Sequence, residues 1–489
     1  MPLREARHFI NGVFTPGTSG RVFDNIGPAT GQRIGIVHEG LKPEVDAAVA
    51  AARAALRGPW SVMSQAERSD LLHGVANEIN NRFEEFLEAE VLDTGKPRSL
   101  ASHIDIPRGA ANFKIFADLV KNVPAETFML DTPDRQGALN YALRKPKGVI
   151  AVIAPWNLPL LLMTWKVGPA LACGNTVVVK PSEETPLTTT LLGEVMNAVG
   201  VPPGVFNVVH GFGPDSAGAF LTAHPGVNAI TFTGETRTGE IIMQSAAVGL
   251  RQVSMECGGK NAALVFADCD LDKAIEGTMR SAFANCGQVC LGTERIYVER
   301  PIFERFVTRL KSAAEGLRMG APDDPATSLG PLISAEHKRK VLAYYRIAVE
   351  EGATVVTGGG EPAMPPELAQ GAWVEPTIFT GLPQTARAVR EEIFGPVCHI
   401  APFDTEAEAI ARANATEYGL VAYVHTLDPR RIYRMSRALQ FGMVAVNRTK
   451  VTGAPIPFGG MKQSGLGREG ARWGLEAFTD IKYICRDWA

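Results

Sequence analysis

The sequence predicts an α/β protein built on doubly wound parallel sheets, and three observations predict it. Residues 148–154 (GVIAVIA) are short, apolar and β-branched without alternation, the pattern of a strand covered on both faces. Comparable runs at 175–180, 205–209, 229–232 and 252–256 are separated by stretches with helical spacing. A second strand–helix set begins after Gly259, so Gly258-Gly259 reads as a hinge between two α/β units.

The elements follow in order. Residues 8–14 read as a hairpin turning at Asn11-Gly12, and Pro28-Ala29-Thr30-Gly31 turns between two short strands. Val45, Ala48, Val49, Ala52 and Leu56 recur at helical spacing. A second helix over 64–80 opens on Ser64-Gln65-Ala66-Glu67, close to a capping box. A third, over 82–94, stops at Gly95-Lys96-Pro97. A fourth follows Pro107 and carries Arg108, Asn112 and Phe116 on one face. Residues 140–144 alternate as a strand, and helices at 160–173 and 185–199 fall between the buried strands. The second set has strands at 261–266, 293–298, 354–357 and 397–401 and helices at 271–285, 303–317 and 334–351. The tail, 478–485, reads as an edge strand open to a partner subunit.

With 489 residues the chain can hold two or three cored domains. A net charge of −3 argues against a nucleic-acid binder. The longest apolar stretch is interrupted by Pro155, Asn157 and Pro159, which argues against a membrane span. The N-terminus lacks a signal-peptide profile, so the cytoplasm is expected. Seven scattered cysteines without a CxxC pair favour reduced thiols over a disulfide framework or a metal site.

Four groups carry candidate chemistry. Cys290 lies among small residues and amides and is read as a nucleophile, with a buried structural cysteine as the alternative. Cys286, four residues earlier, shares a helical face with it if the segment is helical. Glu256 ends an apolar strand, where burial raises a carboxyl pKa toward that of a general base; a paired structural glutamate is the alternative. Asn157 is held between two prolines at a strand end and can donate to an oxyanion. Gly234 opens a helix whose N-terminus can face a pyrophosphate, with Glu235 awkwardly close. Lys180 and Glu183 flank Ser182 at a strand end, and such a carboxylate favours NAD over NADP.

The motifs PWNLP (155–159), KPSE (180–183), FTG (232–234), ECGGK (256–260), GQVC (287–290), EIFGP (392–396) and PFGG (457–460) occur in this order. Together they resemble the NAD(P)-dependent aldehyde dehydrogenase superfamily across essentially the whole chain. The resemblance implies an aldehyde dehydrogenase-like fold: a Rossmann-like cofactor domain (1–125 and 145–256), an α/β catalytic domain (257–455), and a small β oligomerisation arm with the C-terminal segment (126–144 and 456–489). It implies Cys290 as nucleophile, Glu256 as general base and Asn157 as oxyanion donor, with no metal. It further implies NAD held by Ile153, Pro155, Trp156, Lys180, Ser182, Glu183, Gly234, Glu235, Gly258, Glu392 and Phe394. A homodimer or homotetramer is the implied assembly.

Residues 92–97, 106–113 and 290–295 most resemble the branch acting on 2-hydroxymuconic and 2-aminomuconic semialdehydes. That implies a conjugated, carboxylate-bearing substrate from aromatic-ring degradation. Arg108 is the expected partner of the carboxylate, in a site lined by Asn112, Leu161, Trp165, Val289, Leu291, Thr452 and Phe458. Thr452 stands where that branch has a second arginine, which leaves the carboxylate to Arg108 alone or with Arg448 or Lys450 as substitutes. Oxidation of succinate semialdehyde or a neutral aldehyde is the alternative, and a non-catalytic NAD-binding or structural protein is the alternative of another class.

Overall fold

A computed structural model describes residues 4–131, 133, 137–449 and 456–487. Thr452 and Lys450 lie outside the described residues. The chain forms an eight-stranded and a seven-stranded sheet, with two three-stranded sheets beside them.

In the eight-stranded sheet the strands Gln252–Glu256, Ala229–Thr233, Val149–Ile153, Thr176–Lys180 and Phe206–Val208 run parallel in that spatial order. Val149–Ile153, Thr176–Lys180 and Ala229–Thr233 are buried along their whole length, as runs without alternation require. The hairpin His8–Ile10/Val13–Thr15 closes one edge antiparallel. Its turn places Asn11 and Gly12 at φ 53° and 80°, the left-handed conformation that Asn-Gly accommodates. Gly465–Leu466 closes the other edge against Glu256.

The seven-stranded sheet begins immediately after Lys260. Asn261–Val265 lies between Thr293–Glu299 and Val421–His425, all parallel. Cys257–Lys260 is therefore the crossing between the sheets. The third sheet pairs Thr479–Asp487 antiparallel with Ala138–Pro146, which also pairs with Thr127–Leu130. The tail strand thus finds a partner within its own chain, and its outer edge stays open.

The capping box at Ser64 forms, with Glu67 N donating to Ser64 Oγ at 3.2 Å. One helix departs from the sequence reading. Leu271–Phe283 stops before Asn285 and Cys286, both at positive φ (53° and 56°). Cys286 and Cys290 therefore do not share a helical face. Cys286 packs instead with Val341, Tyr345 and Val397. Among the described residues no helix is long and apolar enough to cross a membrane.

Candidate functional site

The site gathers where the carboxyl ends of the first sheet meet the loop leading to the second. Asn157 follows the strand Val149–Ile153 and is buried. Its Nδ2 donates to Gln288 O at 3.0 Å, two residues before Cys290. Its main-chain O accepts from Lys96 Nζ at 3.0 Å and Asn285 Nδ2 at 3.1 Å. Asn285 Nδ2 also donates to Gln288 O at 3.2 Å. Asn157 and the Cys290 loop, far apart in sequence, are thus laced together.

The Cys290 loop is held from three further sides. Asn261 Nδ2 donates to Cys290 O at 2.7 Å and Gly292 O at 2.8 Å. Gln288 Oε1 accepts from Ile333 N at 2.8 Å. A Cβ on Gly287 would overlap the Gly395 carbonyl, so only glycine lets these two loops touch. Cys290 is half-buried; burial, with the Glu256 and Glu392 carboxylates nearby, pushes its thiol up to about 12.

Glu256 ends its strand fully buried, and neither carboxylate oxygen has a hydrogen-bond partner among the described residues. Burial first and then the Glu469 carboxylate hold its pKa well above the ordinary range, against the opposing pull of Lys166 and Arg468. Lys166 and Glu469 form a buried ion pair beside it.

The cofactor candidates line the same strand ends. Lys180 Nζ donates to Glu183 Oε2 at 2.8 Å, and Ser182 Oγ accepts from Glu184 N. Glu235 is exposed at the N-cap of the helix Thr236–Ala247 and makes no side-chain cap hydrogen bond there. Glu392 Oε1 accepts from Gly259 N at 2.8 Å, and a Cβ on Gly258 would overlap its carboxylate. Burial and Glu294 raise Glu392 to about 7. Phe394, at φ 62°, meets Trp156 edge-on at 5.4 Å. Glycines opposite carboxylates, a helix N-terminus and a Lys–Glu pair at strand ends fit a dinucleotide.

The proposed substrate residues divide. Arg108 is half-buried with its guanidinium 5.9 Å from the Trp165 ring. Leu161 and Trp165 are buried, while Val289, Leu291 and Phe458 are half-buried. Asn112 differs from the expectation. It is 1% exposed, and its amide donates to Leu161 O and Thr164 Oγ1, both at 3.0 Å. It ties two helices together behind the site instead of opening into it.

Several site residues escaped the sequence reading. Lys166 is a lone charge in the apolar helix Pro159–Ala172, and that isolation was a usable signal. Lys260 and Glu294 form a buried pair, and Glu294 Oε1 accepts from Phe394 N at 2.9 Å, fixing the Glu392–Phe394 loop. His337 meets Phe394 O at 2.7 Å through Nε2; nothing in its sequence context marked it.

Residues 14–484 match the model of the aldehyde dehydrogenase family. The chain is 68% identical over 483 residues, 99% of each chain, to a 2-hydroxymuconic semialdehyde dehydrogenase of Pseudomonas sp. (strain CF600). It is 52% identical to a 2-aminomuconic 6-semialdehyde dehydrogenase of Pseudomonas sp., over 99% of this chain and 98% of the relative. An NAD+ complex of aldehyde dehydrogenase from Bacillus cereus superposes with a TM-score of 0.96 at 37% identity, covering 99% and 97% of the two chains. Motif order, fold and full-length similarity agree: this chain belongs to the aldehyde dehydrogenase family.

Proposed function

We propose that the protein oxidises a carboxylate-bearing unsaturated semialdehyde, 2-hydroxymuconate semialdehyde or its 2-amino analogue, to the dicarboxylic acid with NAD. The observation that carries the chemistry is the lacing of Asn157 to the loop before Cys290, with Glu256 at a strand end of the same sheet. The substrate class rests on the similarity to the semialdehyde dehydrogenases and on Arg108 beside Trp165.

Cys290 gives up its thiol proton to solvent and attacks the aldehyde carbon as thiolate. One Nδ2 proton of Asn157 is spent on Gln288 O, which aims the other at the developing oxyanion. Bound NAD would supply the acceptor for the hydride lost from the aldehyde carbon. Its binding falls to Lys180, Ser182 and Glu183 at the adenosine end, with Ile153, Pro155, Trp156 and Gly234 lining the cleft. Glu392 and Phe394, beside Gly258, hold the reactive end. The remaining thioester on Cys290 is attacked by water, whose proton Glu256 accepts. The C–S bond breaks and the thiolate returns. Lys166 and Glu469 pair beside Glu256, and their opposite charges act on its carboxylate.

Arg108 pairs with the substrate carboxylate, and Leu161, Trp165, Val289, Leu291 and Phe458 enclose the conjugated chain. A cytoplasmic homodimer or homotetramer completes the reading. Phe128, Met129, Leu130, Ile481 and Tyr483 are exposed on the arm sheet, supporting burial against another subunit.

A panel of 2-hydroxymuconate semialdehyde, its 2-amino analogue, succinate semialdehyde and hexanal, with NAD and NADP, tests this by NADH absorbance. The muconic substrates with NAD should give the highest kcat/KM. Cys290→Ala should abolish oxidation while NAD still binds; a higher kcat/KM for hexanal overturns the substrate class.

A further inference from the structure

Lys96 takes no part in the steps above, yet it is 2% exposed and lies against the site. Its Nζ donates to Asp105 Oδ2 at 2.6 Å, Glu90 Oε1 at 3.4 Å and Asn157 O at 3.0 Å. An ammonium has three protons, and all three find acceptors here. Burying one cation with two carboxylates is costly, and apolar side chains of similar volume would hold the same helices at least as well. Stability alone does not account for the cluster.

The backbone bends on both sides to build it. Gly95, at φ 66°, ends the helix Phe83–Thr94, and a Cβ there would stand 2.6 Å from Pro331 Cγ. Ala101–Asp105 is a π-helical turn that runs into the helix Ile106–Lys121. Such turns re-aim side chains and recur at functional sites. The third acceptor is the decisive one: the main-chain oxygen of Asn157, shared with Asn285.

We propose that Lys96, clamped by Glu90 and Asp105, is a positioning residue for the oxyanion donor, a role that rests on the reading of Asn157 given above. Lys96 fixes the peptide plane that follows Asn157, and Gln288 O fixes the side chain. With both ends held, the second amide proton has one direction left, and the oxyanion forms there.

The test is a double-mutant cycle between Lys96→Met and Asn157→Ala, read by stopped-flow NADH absorbance with 2-hydroxymuconate semialdehyde. NAD binding and Tm report folding. Lys96→Met should slow the first-turnover burst about 10- to 100-fold, the scale of a small misplacement of a catalytic group. It should leave NAD affinity unchanged and add nothing in the Asn157→Ala background, because its effect passes through that amide. A normal burst in folded Lys96→Met, or slowing that multiplies with Asn157→Ala, overturns the inference. A normal burst in Asn157→Ala alone removes the oxyanion assignment and this inference with it. Should Lys96→Met not fold, Asp105→Asn enters the same cycle with the same two decisive outcomes.

Discussion

Asn157 and Glu256 stand at carboxyl ends of the same parallel sheet, yet their surroundings are opposite. Asn157 gives one hydrogen bond and takes two, with partners in two other segments of the chain. Glu256 is equally buried and neither of its oxygens has a partner among the described residues. The difference suits the two roles proposed for them. An oxyanion donor works best when it does not reorganise as charge develops. A base must exist in two protonation states, and a fixed cation or a full set of donors would lock it in one. One half of the site is therefore held still and the other kept titratable.

The sharpest way to break that contrast is Glu256→Gln, which keeps the shape and removes the base. Steady-state kcat should fall about 10³-fold, within the range of general-base contributions. The first-turnover burst of NADH should survive, because the Asn157 half is untouched. Steady turnover near that of the parent enzyme would refute the assignment.

Arg108→Ala asks whether the fixed half extends to the substrate. The helix carrying Arg108 begins directly after Asp105, an acceptor of Lys96. Loss of one charge-assisted contact, about 1.5–3 kcal/mol, should raise KM roughly 10- to 100-fold for a carboxylated semialdehyde. KM for hexanal should not change. Equal increases for both substrates would mean that Arg108 shapes the pocket and does not read the carboxylate.

The two halves were not equally legible. Glu256, Asn157 and Cys290 sit in short motifs at strand ends, and local pattern suffices to find strand ends. The buried strands fell where unbroken β-branched runs placed them. What holds the site together was hidden, because hydrogen bonds between Lys96, Asn157 and Asn285 join residues 61 and 128 positions apart. Gly95-Lys96-Pro97 read as a helix stop, which it also is, and as part of a family resemblance, with no contact to Asn157 foreseen. Asn112 carried the opposite error: a polar residue on the expected face proved to serve helix packing. The end of the helix at Phe283 was missed because Asn285 and Cys286, two non-glycine residues, take positive φ ahead of Gly287.

The titratable half makes the finest prediction. Glu256 must be ionised to accept a proton, so kcat should be lost as pH falls through its raised pKa. The acid limb should lie well above the ordinary carboxylate range. Glu469 raises that pKa and Lys166 lowers it. Glu469→Gln removes a negative neighbour, favours the ionised base and should move the limb to lower pH. Lys166→Met removes the opposing cation and should move it to higher pH. The burst rate should follow neither shift, since hydride transfer precedes the step in which Glu256 accepts its proton. Shifts of the same sign in both variants would show that the pair acts through packing, because only charge predicts opposite directions.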